Sequence, residues 1–415
     1  MYLRGSKWHM TKRRGKRSNL WRIAVLLILI AAAVYVDRVV VPTVPPLFIP
    51  TPTSTRSPES FINEAERLYQ AGKLAQAVDV YKQAIPADPD NPAIYLAKAK
   101  AEIYLGRYEA ALEDAENALL LNNDNPLAHA TKAWALDFLG DYAQAEGAVK
   151  NALDLDPNNA FAHAVYAEIL IDKHLAGQGD PNTVDRAAAE SKTALSLAPN
   201  MLEVHRARGY VLWNTGNNEE AISEYQAALA INDKIADLHL ALGYNYNSLE
   251  DYGRAIDEFL LVIALNPTDP IAPLEISRTY ATIGDFAKAA QFAEQAVKAD
   301  PDNARMRGNL GVMYYRNRQL DEAIEQLSLA IRGGQLEDGT IIKGLPLNYG
   351  KVAEYYAIYG LALAKSNRCG EAIPIFQAIL GGIPDDEINV YNAEQGLIIC
   401  QENLANTTPQ ATTQP

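Results

Sequence analysis

Four histidines are the first residues whose type and spacing could support chemistry. They follow one another at intervals of 34, 42 and 34 residues: His129, His163, His205 and His239. Imidazole nitrogens bind zinc and transfer protons near neutral pH, so this spacing raises the hypothesis of a metal site. The sequence has no Gly-Lys-Ser/Thr phosphate loop, no His-Glu-x-x-His motif and no Gly-x-Ser-x-Gly motif. We therefore expect no cofactor and no catalytic activity.

The histidines belong to a repeat that runs through most of the chain. An alanine recurs at 34-residue intervals, interrupted by one interval of 42 and one of 49 residues: Ala77, Ala111, Ala145, Ala187, Ala221, Ala255, Ala289, Ala323 and Ala372. Small residues also stand twelve positions before and seven positions after most of these alanines. Two helices of about 12–14 residues pack antiparallel when small side chains occupy their closest approach. The pattern predicts nine helix pairs.

Glycine, proline and large apolar residues fit the same helix pairs. A glycine in mid-unit, such as Gly72, Gly140 or Gly284, ends the first helix by adopting a positive φ. A proline after the second helix stops it. Larger residues fill the space that the small residues leave open: Tyr81, Tyr225, Phe259 and Phe376.

This pattern resembles the tetratricopeptide repeat (TPR) family, which has a period of 34 residues, small residues at positions 8, 20 and 27, and a proline at position 32. In that register the units start at 58, 92, 126, 160, 202, 236, 270, 304 and 353, and the last ends at 386. Extra residues fall near 173–181 and at 338–352. The resemblance implies an all-α, right-handed superhelix. A capping helix over 387–404 and a disordered tail over 405–415 are expected to follow.

Within these units every one of the four histidines stands at position 4. Equivalent points of neighbouring units lie about 8–10 Å or more apart, so one zinc ion with ligand distances of about 2 Å cannot join them. We expect no metal site and interpret histidine as a replacement for the aromatic residue usual at this position. A mild pH dependence of packing is the alternative.

The resemblance also implies a concave groove lined by first-helix positions 2, 5, 9, 12 and 13. In units five to eight these positions carry residues suited to holding a protein or peptide partner: Arg206, Tyr210, Trp213, Asn214, Tyr244, Asn247, Arg278, Arg305, Tyr315 and Arg316. The first four units differ, with Glu66, Lys100, Trp134, Asp137, Phe138, Glu168 and Asp172. The expected groove thus changes from acidic and mixed to basic and aromatic. An ordinary solvated face is the alternative.

Two cysteines lie close to the C-terminus. Cys369 opens the second helix of the ninth unit, and Cys400 stands near the end of the capping helix. If the cap stacks like another first helix, these ends come close, and outside the cytoplasm an oxidised pair would staple the cap. Buried free thiols are the alternative.

Charge separates the N-terminus from the rest of the chain. Residues 1–36 contain eight basic residues and no acidic one, and an apolar run extends from Ile23 to Val36. We expect a basic cytoplasmic segment over 1–19, a transmembrane signal-anchor helix over 20–41 and a Pro/Ser/Thr-rich stalk over 42–57. The repeats would then lie outside the membrane. A cleaved signal peptide is the alternative, since Ala31 to Ala33 offer a small-residue cleavage site.

The residues after 36 contain 29 Lys and Arg against 51 Asp and Glu, a net charge of −22. So acidic a body argues against nucleic-acid binding. We expect a membrane-anchored scaffold, of a plan that looks bacterial, that holds a protein or peptide partner in its groove. An envelope glycan-binding protein or a passive structural repeat protein is the alternative.

Overall fold

In a computed structural model, the structure describes residues 19–36, 38 and 56–407. The chain divides into two compact units, of which the first ends at Arg56 and the second begins at Ser57. The predicted segment over 1–19, the stalk over 42–57 and the tail over 405–415 lie largely outside the described residues.

The first unit contains helix α1 (Leu20–Tyr35). Within residues 19–36, 38 and 56–407, no helix combines the length and the apolar character that crossing a membrane requires. The transmembrane helix expected over 20–41 is therefore not supported. The 16 residues of α1 rise about 24 Å, which is short of the ~30 Å hydrocarbon core.

The second unit consists of helices joined by short turns. The helices are α2 (Pro58–Gln70), α3 (Leu74–Ala84), α4 (Pro92–Tyr104), α5 (Tyr108–Leu121), α6 (Pro126–Phe138), α7 (Tyr142–Leu155), α8 (Ala160–Leu175), α9 (Thr183–Leu197), α10 (Leu202–Asn214), α11 (Asn218–Ile231), α12 (Ala236–Ser248), α13 (Tyr252–Leu265), α14 (Ile271–Ile283), α15 (Phe286–Ala299), α16 (Ala304–Arg316), α17 (Leu320–Arg332), α18 (Lys351–Lys365), α19 (Cys369–Gly382) and α20 (Glu387–Thr407). A 3-10 turn, Ile85–Ala87, follows α3. Two short strands, β1 (Gly334–Gln335) and β2 (Ile341–Ile342), pair antiparallel between α17 and α18.

Each even-numbered helix from α2 to α18 packs against the helix that follows it, and successive pairs stack on one another. Helix α20 packs on both α18 and α19. The all-α solenoid of helix pairs predicted from the repeat is confirmed. The β1–β2 hairpin lies in the extra residues before the ninth pair, where the sequence indicated only an insertion.

Small residues lie where the two helices of a pair approach most closely. A Cβ atom added to Gly243 would lie 2.3 Å from the Phe259 ring, and one added to Gly360 would lie 2.4 Å from the Phe376 ring. Both distances are far below van der Waals contact, so no larger residue fits without displacing the helix. The predicted exchange of small for large residues is the reason that these helices pack.

The turn between paired helices requires a left-handed residue. Gly140 (φ +77°) and Gly284 (φ +89°) supply it, as predicted. Three pairs have no glycine there, and Glu250 (φ 59°), Arg318 (φ 66°) and Asn367 (φ 57°) adopt the same conformation. Because a Cβ atom disfavours this region, these three turns are strained by roughly 1–2 kcal/mol each.

Candidate binding groove

The first helices of the early repeats pack directly against one another. Helices α4, α6, α8 and α10 are in sequential contact along the concave face. Each carries a completely buried alanine: Ala99, Ala133, Ala167 and Ala207. Such small side chains allow helix backbones to approach closely. This half of the concave face is therefore narrow.

A contact between distant repeats closes this half further. The Lys100 ammonium lies 2.5 Å from the buried Glu203 carboxylate, and a Cβ atom on Gly72 would lie 2.8 Å from the Lys234 side chain. Repeats of a solenoid ordinarily contact only their neighbours. Here the first two repeats reach the turns and helices of the fifth and sixth.

Arg206 lies at the centre of the closed half. Its Nη1 is 2.5 Å from Glu168 Oε1, and its Nε donates to Asp237 Oδ2 at 2.7 Å. The guanidinium carbon lies 5.4 Å from the centre of the Trp134 ring and 5.6 Å from that of Phe138. Arg206 is thus held by two carboxylates and two aromatic faces, and its charge is already neutralised from within the chain.

Two carboxyl groups beside Arg206 share a proton. Tyr210 donates its hydroxyl hydrogen to Asp172, whereas the oxygens of Asp137, which is 3% exposed, have no hydrogen-bond donor within the described part of the chain. Burial, followed by the charges of Asp172 and Glu168, raises the pKa of Asp137 well above its usual range. Asp137 is therefore protonated at neutral pH, and its proton bridges to Asp172.

Between these groups and helix α12 lies a cavity of about 160 Å³, which we call the acidic pocket. Its wall includes Trp213 and Tyr244, whose rings stack with centres 5.7 Å apart and planes 5° apart. It is lined by Phe138, Glu168, Asp172, Arg206, Tyr210, Trp213, Tyr225, Asp237, Leu240, Ala241 and Tyr244. An adjoining cavity of about 200 Å³ shares Phe138, Arg206, Asp237 and Leu240 with it.

The two predicted asparagines bind other groups of the chain. Asn214 Nδ2 donates to the Tyr210 carbonyl at 2.9 Å, and Asn247 Nδ2 donates to Thr279 Oγ1 at 3.0 Å. In this conformation both amide nitrogens are committed within the repeats. Neither points a free donor at a partner.

The later repeats leave the concave face open. A cavity of about 280 Å³ lies among Arg278, Ala281, Thr282, Asn309, Val312, Met313, Arg316, Lys351, Glu354 and Tyr355. A second, of about 720 Å³, lies among Tyr315, Arg316, Gly350, Lys351, Glu354, Ile358, Leu361, Asp386, Ile388, Asn389 and Asn392. The two share Arg316, Lys351 and Glu354, and we call them together the basic groove.

The cations of the basic groove are only partly neutralised. Arg316 Nη2 and Lys351 Nζ lie 3.2 Å and 3.0 Å from the same carboxylate, that of Glu354. Arg278 Nη1 lies 2.6 Å from Glu275, while its side chain stays 48% exposed. One carboxylate shared between two cations leaves positive charge available to a ligand.

The last two predicted residues are divided between the groove and the surface outside it. Tyr315 lines the larger cavity, and its hydroxyl accepts a hydrogen bond from Lys365 Nζ at 2.7 Å. Arg305 is exposed at the start of α16 but lies outside the linings of both cavities. Its carbonyl accepts a hydrogen bond from Tyr355.

The predicted groove residues therefore lie in two different sites. The structure also adds residues that sequence reasoning missed, above all Asp237, Lys351 and Glu354. Asp237 stands at position 2 of its unit, equivalent to Arg305, so the repeat register could have found it. Lys351 and Glu354 stand at the end of the insertion, where the register gives no guide.

The four histidines join neighbouring repeats. Nε2 of every ring lies 2.8–3.1 Å from the carbonyl oxygen six residues earlier. Nδ1 of His163, His205 and His239 lies 2.5–2.6 Å from a glutamate of the second helix. Arg307 makes the equivalent contacts in the eighth repeat, to the Pro301 carbonyl and to Gln326. The interpretation of these histidines as replacements for an aromatic side chain is thus wrong, because they bind through both nitrogens.

Two of these rings are poised to be charged. The hydrogen bond to Glu190 raises the pKa of His163. Burial opposes protonation of His239, but hydrogen bonds to Glu258 and to the Asp233 carbonyl outweigh it and raise its pKa. A carbonyl and a carboxylate both accept, so each ring must donate from both nitrogens.

Cys369 and Cys400 form a disulfide with a Cα–Cα distance of 5.4 Å. The bond joins the start of α19 to the middle of α20. The Phe376 ring lies close to both Gly360 and Gly396, so α20 closes the last repeat by packing as well. This is the arrangement in which the sequence left pairing and free thiols as alternatives.

Comparison with known proteins identifies the repeat. The family model described as "Tetratricopeptide repeat" matches residues 96–160, 173–234, 206–270 and 274–337, and one described as "TPR repeat" matches 65–102. No curated protein matches the chain.

Two solved structures show the extent of the likeness. The fold is similar to a chain in the crystal structure of the APC/C hetero-tetramer Cut9–Hcn1, with a TM-score of 0.57, 17% identity, and coverage of 78% of this chain and 59% of that one. It is also similar to the human IFIT1 dimer with PPP-AAAA, with a TM-score of 0.52, 19% identity, and coverage of 84% and 83%. At these identities the likeness shows the fold alone.

Proposed function

The chain belongs to the tetratricopeptide repeat family, and on that premise we propose that it is a non-catalytic scaffold that binds an acidic, extended segment of a partner protein in the basic groove. One observation carries the proposal. The basic groove is open and keeps Arg278, Arg316 and Lys351 accessible, whereas the predicted residues of the closed half are held by internal contacts.

The lining of the basic groove suits such a segment. Arginine guanidinium groups bind carboxylates in a bidentate manner, which gives both affinity and register. Apolar residues at the floor, Ile358 and Leu361, can cover the aliphatic part of a peptide. Asn392 lines the same cavity and can both donate to and accept from a peptide backbone.

Peptide selection on the full chain tests this proposal. We expect a displayed random library to become enriched in peptides rich in Asp and Glu. Affinity for a selected peptide, measured by fluorescence polarisation, should fall at least tenfold in the double variant Arg278→Glu, Arg316→Glu, and should weaken as salt rises.

A matched control separates the groove from net charge. Arg254 is an exposed arginine on α13, paired with Asp251 and remote from both groove cavities. Two-charge reversal at Arg254→Glu, combined with Arg186→Glu on α9, should leave peptide affinity within about twofold. Equal loss in both double variants, or selection without acidic enrichment, would overturn the proposal.

We further propose that the N-terminal apolar segment attaches the protein to a membrane and that the repeats work outside the cytoplasm. Support comes from the one-sided basic charge before the apolar run and from the disulfide, which suits an oxidising compartment. The full chain should stay with membranes after a carbonate wash, and Leu26→Asp with Leu29→Asp should release it. A wild-type protein in the soluble fraction would refute this part.

A further inference from the structure

The acidic pocket has the walls of a site for an organic cation. Trp213, Tyr244 and Phe138 present aromatic surface to a cavity of about 160 Å³. Asp237, whose side chain is 40% exposed, lies at its solvent side. Aromatic faces attract cations, and arginine guanidinium in particular stacks on them.

The negative charge of this region exceeds what the chain supplies to balance it. Arg206 alone faces the carboxylates of Glu168 and Asp237. No basic side chain pairs with Asp137 or Asp172 among residues 56–407, and the oxygens of Asp137 are buried without a donor. Four carboxyl groups, one shared proton and one guanidinium leave two negative charges in an aromatic-walled cavity.

The shared proton shows how the chain tolerates this excess. The groups that face Asp137 are Glu168 and Asp172 from α8, and Arg206 from α10. Tyr210, also from α10, donates to Asp172 from the other side. Two carboxylates this close cannot both ionise without a cation, so the proton occupies the place that a positive charge would otherwise take.

We propose that the acidic pocket binds the guanidinium of an arginine side chain from a partner polypeptide, at a site separate from the basic groove. The guanidinium stacks on the Trp213–Tyr244 wall and is neutralised by Asp172 and Asp237. As it enters, the proton shared by Asp137 and Asp172 leaves to solvent, and both carboxylates ionise. Charge balances, because one cation enters as one proton departs.

Calorimetry of the full chain with N-acetyl-arginine amide and with an arginine-containing pentapeptide tests the proposal. Titrations at pH 7 in two buffers of different ionisation enthalpy measure the protons released. We expect binding of both probes with release of a substantial fraction of one proton. Asp172→Asn should weaken binding about tenfold or more.

A second variant makes the assignment specific. In Asp137→Asn the side-chain amide still donates to Asp172, which then remains ionised, so binding should persist while proton release disappears. Asp237→Asn, at the solvent-facing edge, should weaken binding without perturbing the fold. Glu354→Gln, which removes a carboxylate from the basic groove, should leave binding of both probes unchanged.

Several outcomes would overturn the inference. They are an absence of binding by the wild-type protein at millimolar probe, unchanged affinity in both Asp172→Asn and Asp237→Asn, or proton release that survives Asp137→Asn. Spermidine bound more tightly than the pentapeptide, with the same dependence on Asp172, would instead assign the pocket to a free polyamine. Circular dichroism of each variant shows whether it is folded. Because the probes are cationic, failure here would leave the acidic-peptide proposal for the basic groove untouched.

Discussion

The two halves of the concave face are built from the same repeat and differ in what fills them. In the first half, Trp134 and Phe138 pack against Arg206, and Lys100 reaches across to Glu203. In the second half, Arg278, Arg316 and Lys351 face open cavities. One half has used its aromatic and charged residues to close itself, and the other has kept them accessible.

The difference shows that the residue type at a groove position does not by itself make a binding surface. Arg206 and Arg278 are both first-helix arginines, yet one lies between two buried or half-buried carboxylates and the other is half exposed. What separates them is the spacing of the helices beneath. Alanine-rich first helices bring opposite walls together, whereas α14 and α16 carry larger residues such as Leu274, Ile276, Met306 and Leu310.

The largest expected effect breaks the closed half. Arg206→Met would leave Glu168 buried without its cation, and we expect a loss of about 3–5 kcal/mol in the free energy of unfolding. Chemical denaturation followed by tryptophan fluorescence measures it, because Trp134 and Trp213 both lie in this half. Arg316→Met, in the exposed pair with Glu354, should cost only about 0–1 kcal/mol. Equal losses would contradict the distinction between the halves.

The next effect falls on the open half. Reducing the Cys369–Cys400 bond should lower stability by about 2–4 kcal/mol, because the cross-link restricts the unfolded chain. Helical circular dichroism should show an earlier transition, while tryptophan fluorescence should stay unchanged. Thiol counting under denaturing conditions gives the control, and two free thiols in the untreated protein would contradict the disulfide.

A pH change should loosen the first half more than the second. Since the pKa values of His163 and His239 are raised on folding, their contribution is complete below about pH 6.5 and is lost as pH rises through the folded pKa. Burial also raises the pKa of Asp114 to about 7, which weakens the first half in the same direction.

The contribution of the histidines can be isolated by a substitution that the chain itself suggests. Arg307 makes the same contacts in the eighth repeat and keeps its charge at all these pH values. The variant His163→Arg, His239→Arg should therefore flatten the decline in denaturation midpoint between pH 6 and 8.5 relative to the wild type. Identical slopes would show that these contacts do not depend on charge.

The smallest effect concerns the turns. Arg318→Gly and Asn367→Gly, both in the second half, should each stabilise the protein by about 0.5–1 kcal/mol by removing a Cβ atom from a left-handed residue. The reverse change, Gly140→Ala in the first half, should destabilise it. Thermal denaturation measures all three, and a neutral result for Arg318→Gly would show that the turn has relaxed.

The sequence predicts the repeat and its helix pairs because both depend on contacts within 34 residues. Gly243 against Phe259 is such a contact, and the periodicity of small and large residues announces it. The position of the cap could be predicted for the same reason. The role of the histidines could have been found from Arg307, because only hydrogen bonding explains why arginine and histidine share a position.

The division of the groove could not be predicted in this way. It depends on Lys100 meeting Glu203 and on Arg206 reaching Glu168 and Asp237 in other repeats. No periodic signal marks such contacts, since they follow from the accumulated curvature of the stacked pairs. The shared proton of Asp137 follows from them in turn, because it requires burial by three helices.

The contact between Lys100 and Glu203 also has a consequence for synthesis. A chain leaves the ribosome at about 5–20 residues per second, so Glu203 emerges roughly 5–20 s after Lys100. During that interval the first repeats can form helices but cannot complete the face that they later close. The nascent first half is therefore exposed until the fifth repeat arrives, while each repeat of the open half can dock on its neighbour as soon as it emerges.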